Sequence, residues 1–267
     1  MCWADDASSL GRMTKTPTPM DAATAVLRDP TLPHGADERF VGFGVMGFPF
    51  ASGHYLALRY FPATTFSPGY KSVWHRDPDG TWTFYATTPG QQSCARYFSS
   101  ATANDAVQCD IDVTWITPWS LLIDVPGLLS WTVDIRSTPA SRMVSAIGRA
   151  LPAAAWTTPA ALRVIGRTAG TLLRAGTVQL AGTAPNGQRF MIAPTQVWLA
   201  DGHAQLHGVD LGAAGPLDEQ AELADFRPPQ RGIFVVGSGH FDTFDATRHR
   251  AADRTVLIDG TSPDLGA

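Results

Sequence analysis

Ser72-Val73-Trp74-His75-Arg76-Asp77-Pro78-Asp79-Gly80-Thr81-Trp82-Thr83-Phe84-Tyr85-Ala86 is the stretch that decides the class of fold. Asp77-Pro78-Asp79-Gly80 places proline where φ must lie near −65° and glycine where the backbone must turn tightly. The aromatic and β-branched residues on either side then read as two strands of a hairpin, 72–76 and 81–86. Outward from it, 55–61, 95–98, 107–116, 120–125 and 129–137 are strand-like, as are 177–182, 188–193, 196–200, 204–211 and 232–240. Asn186-Gly187 and Asp201-Gly202 supply further hairpin turns. With 25 Gly and 20 Pro, many short strands joined by turns suit the chain better than long helices. The class expected is mainly β, as barrel or sandwich halves.

The middle of the chain differs. Residues 139–151 and 159–175 do not alternate, and each begins with proline after a threonine, Thr138 or Thr158, which predicts two helices. This divides the chain into a poorly ordered arm (1–34) with one short helix at 22–27, a β unit (35–138), a helical pair (139–176), a second β unit packed on the first (177–245) and a solvated tail (246–267). From Ile135 to Ala200 there is no Asp or Glu, but there are Arg136, Arg142, Arg149, Arg163, Arg167, Arg174 and Arg189. Arg163, Arg167 and Arg174 fall on one helical stripe. Such a stripe solubilises a helix or packs on the acidic remainder; alternatively it docks on an anionic membrane surface or covers an apolar pocket as a lid. The apolar sides of the helices need burial, against the β units or against a second copy in a homodimer.

The net charge of −4 argues against a nucleic-acid partner. Residues 1–33 hold no apolar run long enough for a signal peptide or span, and the three cysteines, Cys2, Cys94 and Cys109, form no CxxC, so a reducing cytoplasmic location is expected. No P-loop, GxGxxG, HExxH or GxSxG motif is present, so neither a cofactor nor a metal is expected. Schiff-base chemistry lacks a lysine in a plausible pocket, since Lys15 lies in the arm and Lys71 in the polar Ser67-Pro68-Gly69-Tyr70 turn.

Within 107–116, Val107, Cys109, Ile111, Val113 and Trp115 share one face, and Asp110, Asp112 and Thr114 the other. In a sandwich those carboxylates meet water. In a barrel with a ligand in its lumen they point at the ligand, where burial raises a carboxyl pKa toward general-acid use. His75 points away from Trp74 and Arg76, toward either a cavity or solvent. His207 and Asp210 form a second acid/base pair near a strand end.

Gly53-His54-Tyr55-Leu56-Ala57-Leu58-Arg59, the span from Tyr70 to Tyr85 with its Trp-His-Arg-Asp turn, and the later β region together resemble the lipocalin-type superfamily of carotenoid hydratases (hydroxyneurosporene synthase) and AttH-like proteins. The resemblance covers about residues 40–240 and implies lipocalin-like β halves, and acid/base or cation-stabilising chemistry on apolar substrates. It departs from the family in the β region 177–245, which is short for a complete eight-stranded barrel. On this reading the chain is a cofactor-independent hydratase, lyase or isomerase acting on an isoprenoid- or lipid-like molecule. Asp110 or Asp112 would be the acid and His75 or His207 the base, with Trp74, Trp82, Tyr85 and Trp115 as pocket walls. The competing readings are a non-catalytic carrier of an apolar small molecule and a peripheral membrane or interaction module built on the arginine helices.

Overall fold

The turn at Asp77 forms as its residues dictate. The Asp77 carbonyl accepts from the Gly80 N–H at 3.1 Å, and the Asp77 carboxylate accepts from the Thr81 N–H at 2.7 Å. The computed structural model describes residues 16–250 and 255–257. Thirteen strands among them join one sheet: β1 (Glu38–Pro49), β2 (Tyr55–Thr64), β3 (Tyr70–Arg76), β4 (Trp82–Ala86), β5 (Ala106–Gln108), β6 (Asp112–Thr117), β7 (Ser120–Val125), β8 (Leu129–Arg136), β9 (Ala181–Thr183), β10 (Arg189–Leu206), β11 (Val209–Asp210), β12 (Ile233–Phe241) and β13 (Thr255–Leu257). The α-helices are α1 (Pro19–Arg28), α2 (Ala95–Phe98), α3 (Pro139–Ala150), α4 (Ala153–Trp156) and α5 (Pro159–Leu173). The fold is mainly β, as the sequence implies.

The sheet runs β13-β5-β4-β3-β2-β1-β12-β10-β8-β7-β6, with β9 and β11 attached to β10. β5 and β6 stand at or next to opposite ends of this path, yet only residues 109–111 separate them in the chain. The sheet therefore curls until its ends meet. Lys71 of β3 fastens the seam by donating to the Ile111 carbonyl. Inside the curl, Leu58, Val73, Ile123, Trp131, Val133 and Phe234 pack into one core, so the lumen is filled with side chains. The period of two sends alternate residues of the same strands outward. Tyr55, Ala57 and Phe61 of β2 and Tyr70 and Trp74 of β3 join a second, aromatic core with α2.

Several expectations are corrected. The two β stretches are hydrogen-bonded into one continuous sheet, β12 beside β1 and β10 beside β8. Asp201-Gly202 lies within the 18-residue β10, opposite Asp134 and Val133, instead of forming a turn. Residues 95–98 form α2, because Ser93 offers its hydroxyl to the Ala95 N–H and Ala95, Tyr97 and Phe98 then bury together. The strand expected over 107–116 breaks at the seam. Within the arm, α1 is capped by Thr18 and Asp21 and seats Ala22 and Ala23 in the inner core; residues 1–15 lie outside the described residues. Within the tail, β13 pairs in parallel with β5, while 251–254 and 258–267 lie outside the described residues. Lys71 belongs to β3, not to a turn.

The two central helices form where their Thr-Pro starts place them. Thr138 and Ser141 build a capping box on α3, and Ser145 pins that helix to β10 by accepting from the Val197 N–H at 2.9 Å and donating to the Val197 carbonyl at 3.1 Å. No helix among the described residues is long and apolar enough to cross a membrane.

Candidate functional site

Between the outer face of the sheet and α3 to α5 lies a cavity of about 290 Å³. Its roof is apolar: Val144 and Ile147 of α3, Trp156 of α4, and Ile165, Ala169 and Leu172 of α5. Ile147 and Val164 line it and are also exposed, which places its mouth between α3 and α5. The floor includes bare backbone at Gly42 and Gly44 of β1 and at Gly237 of β12, with Gly42 directly opposite Gly237. A Cβ at any of these glycines would run into the backbone of the neighbouring strand, at Tyr60, Leu58 and Ala193 respectively.

At one end the lining turns polar. The period of two puts Arg59 on the same face as Tyr55, Ala57 and Phe61, where it stands opposite Gly44 on one side and Ser72 on the other. Its guanidinium lies 4.8 Å from the Trp74 ring centroid, and its one hydrogen bond among the described residues, from Nη1, goes to the Leu58 carbonyl at 3.0 Å. No carboxylate among the described residues pairs with it, and it lines the cavity half-buried. Burial lowers its pKa from the usual arginine value, opposed only by Cys94, Tyr55 and Tyr70. The guanidinium stays charged regardless.

Beside it the Tyr70 hydroxyl and the Cys94 thiol are hydrogen-bonded at 3.2 Å. Burial pushes both pKa values up, so both groups hold their protons at neutral pH. The buried Trp74 indole N–H has Cys94 as its neighbour, and the buried Ser72 hydroxyl has no hydrogen-bond partner among the described residues. The corner thus gathers a cation and several protic groups, all suited to an electron-rich oxygen.

Of the anticipated site residues, Trp74 lines this cavity. Trp82 stands behind it, edge-on at 6.5 Å, with its indole N–H bonded to the Glu222 carbonyl at 2.8 Å. Tyr85 and Trp115 pack against the inner core on the other face. Asp110 and Asp112 are exposed at the seam because Ile111 between them is the residue that turns inward; neither lines the cavity. His75 is buried on the Val73 face and shares a proton with His54, Nε2 to Nδ1 at 2.8 Å, with the rings stacked 5.1 Å apart. Burial, then His54, push its pKa down to about 4. His207 is exposed in the tight β10–β11 connection at φ 49°, and Asp210 accepts from the Gly212 N–H at 2.7 Å, so these two residues shape a turn. Arg163 and Arg167 point to solvent, and Arg174 ends α5 in the left-handed conformation. No described lysine lines the cavity, and among the described residues no cluster of His, Cys, Asp or Glu is arranged to hold a metal.

Arg59 is the residue that sequence reading missed. Its signal was the strand period, which puts a charge in line with Tyr55, Ala57 and Phe61. No protein-family model matches the chain, and no curated protein matches it in sequence. Among solved structures it is similar to an acetoacetate decarboxylase from Legionella pneumophila, with 10% identity and a TM-score of 0.37 over 80% of this chain and 87% of that one. It is also similar to CghA solved with Sch210972, with 8% identity and a TM-score of 0.27 over 77% of this chain and 46% of that one. Neither likeness is strong enough to transfer a role.

Proposed function

We propose that this protein takes an apolar small molecule into the cavity beneath α3 to α5 and acts on its polar end without a cofactor, in the manner of an isomerase or lyase. The supporting observation is the Arg59 guanidinium, half-buried in the lining of an apolar cavity with no carboxylate partner among the described residues. An unpaired interior charge costs several kcal/mol, and folds retain such costs where function requires them. Arg59 with the protonated Tyr70 and Cys94 offers positive charge and hydrogen-bond donors to an oxygen on which negative charge develops, as in enolisation or elimination. In this reading the chemistry sits in the Arg59 corner, and Asp110, Asp112, His75 and His207 take no part in it.

A carrier of the same class of molecule is the second reading. It is favoured by the cavity's lack of a lining side chain placed to accept a proton near neutral pH. Native mass spectrometry on protein purified without detergent, followed by incubation of any released molecule with wild type and Tyr70→Phe, separates the two. Conversion that slows more than about tenfold in Tyr70→Phe supports catalysis; a molecule bound and returned unchanged supports the carrier. Absence of a bound mass, together with no uptake of the neutral fluorophore N-phenyl-1-naphthylamine, sinks both.

A further inference from the structure

We infer that the ligand of this cavity carries a single carboxylate, and that Arg59 is the group that receives it. This rests on the pocket reading above and adds the chemical class of the head group. Arg59 has five N–H donors and, among the described residues, directs one of them to a protein acceptor. Arg227, the other arginine lining the cavity, is already neutralised by Glu222 at 2.6 Å, so Arg59 is the unmatched charge. The planar guanidinium fork matches a carboxylate in geometry. One positive charge also balances one negative charge. A phosphate monoester, with roughly −1.5 to −2 charge, would leave buried charge uncompensated.

Tyr70 lines the same cavity, and its hydroxyl is the protic group offered to the second carboxylate oxygen; the Trp74 indole N–H, buried beside Cys94, is not open to the cavity. No carboxylate side chain stands among the lining residues to compete for Arg59. The apolar roof then contacts a hydrocarbon or ring body whose anionic end points inward, toward β2 and β3, and whose tail lies toward the mouth at Ile147 and Val164.

Displacement of N-phenyl-1-naphthylamine by decanoate, decanol and decyl phosphate tests the assignment. Wild type is expected to bind decanoate on the order of ten- to a hundredfold more tightly than decanol, the range of one charge-assisted pair, and decyl phosphate less tightly than decanoate. Arg59→Met should bind decanol as well as wild type does and lose the preference for decanoate, and its melting temperature without ligand should rise because a lone interior charge is gone. Arg59→Lys should keep part of the preference, which guards against a folding defect in the methionine variant. Equal affinity of wild type for decanoate and decanol, or an undiminished preference in Arg59→Met, overturns the carboxylate assignment while leaving the pocket reading intact. Tighter binding of decyl phosphate than of decanoate overturns it in favour of a dianion. If neither the fluorophore nor decanol binds, the pocket reading fails and this inference with it.

Discussion

Glu38 receives four side-chain hydrogen bonds: Arg96 Nε at 3.1 Å and Nη2 at 2.7 Å, the Tyr97 hydroxyl at 2.7 Å and Gln188 Nε2 at 3.2 Å. Burial pushes its pKa up, but the donors, Arg96 first, outweigh burial and hold it below the usual glutamate value. A depressed carboxyl stabilises the fold above its unfolded pKa and loses that contribution as pH falls through the folded one. Glu38→Ala should cost roughly 2 to 4 kcal/mol in urea titrations at neutral pH, because it strands Arg96 and Tyr97 together. It should also loosen the cavity wall, where Tyr97 stacks on Phe241 at 3.6 Å. His75 acts in a different pH window. Its folded value of about 4 lies below the ordinary 6.5, so its contribution is complete above pH 6.5 and is lost as pH falls toward 4. The loss is at most about 3 kcal/mol. Replacing His75 with leucine should flatten the stability profile between pH 6.5 and 4 and leave the Glu38 window below 4.5 in place, as read from denaturation midpoints across pH.

At the scale of elements, α3 depends on one buried hydroxyl. Along one edge β10 pairs with β9 as far as Met191 and with β8 from Leu199, and Ser145 fills the hydrogen-bonding gap at Val197 between them. Ser145→Ala should cost about 1 to 3 kcal/mol, and hydrogen exchange should show the loss concentrated in α3 and at Val197. Both central helices were legible because a Thr-Pro start is a local signal that needs no tertiary partner. The hairpin at Asp77 was legible for the same reason. Residues 95–98 were not, since a run of four apolar and polar residues carries no period long enough to distinguish strand from helix. Asp201-Gly202 misled because the same dipeptide serves a turn or a bend within a long strand. The lack of a carboxylate partner for Arg59 depends on what β1 and β3 bring alongside it, and no window along the chain contains that information.

At the scale of the whole molecule, neither β stretch can complete its own hydrogen bonding. β1 needs β12, and β8 needs β10. Fragments 35–138 and 177–245 expressed separately should therefore be insoluble or unfolded, as judged by circular dichroism and gel filtration, each with a long unpaired strand exposed. Cohesive folding of either fragment alone would show that the sheet divides after all. The inner core was only half legible: alternation put Ile111, Val113 and Trp115 on one face, but showed neither which face turns inward nor that three residues could join the two ends of the sheet.

The backbone floor of the cavity constrains how this protein can vary through descent. Gly42, Gly44 and Gly237 cannot accept even a methyl group without moving an adjacent strand, so the depth of the cavity is fixed by main chain that selection cannot trim residue by residue. The helical roof is under a weaker restriction, because Val144, Ile165 and Leu172 line the cavity with side chains and not with main chain. Lineages that inherit this fold should therefore keep the three glycines while their roofs diverge, and new ligand preferences should arise from above.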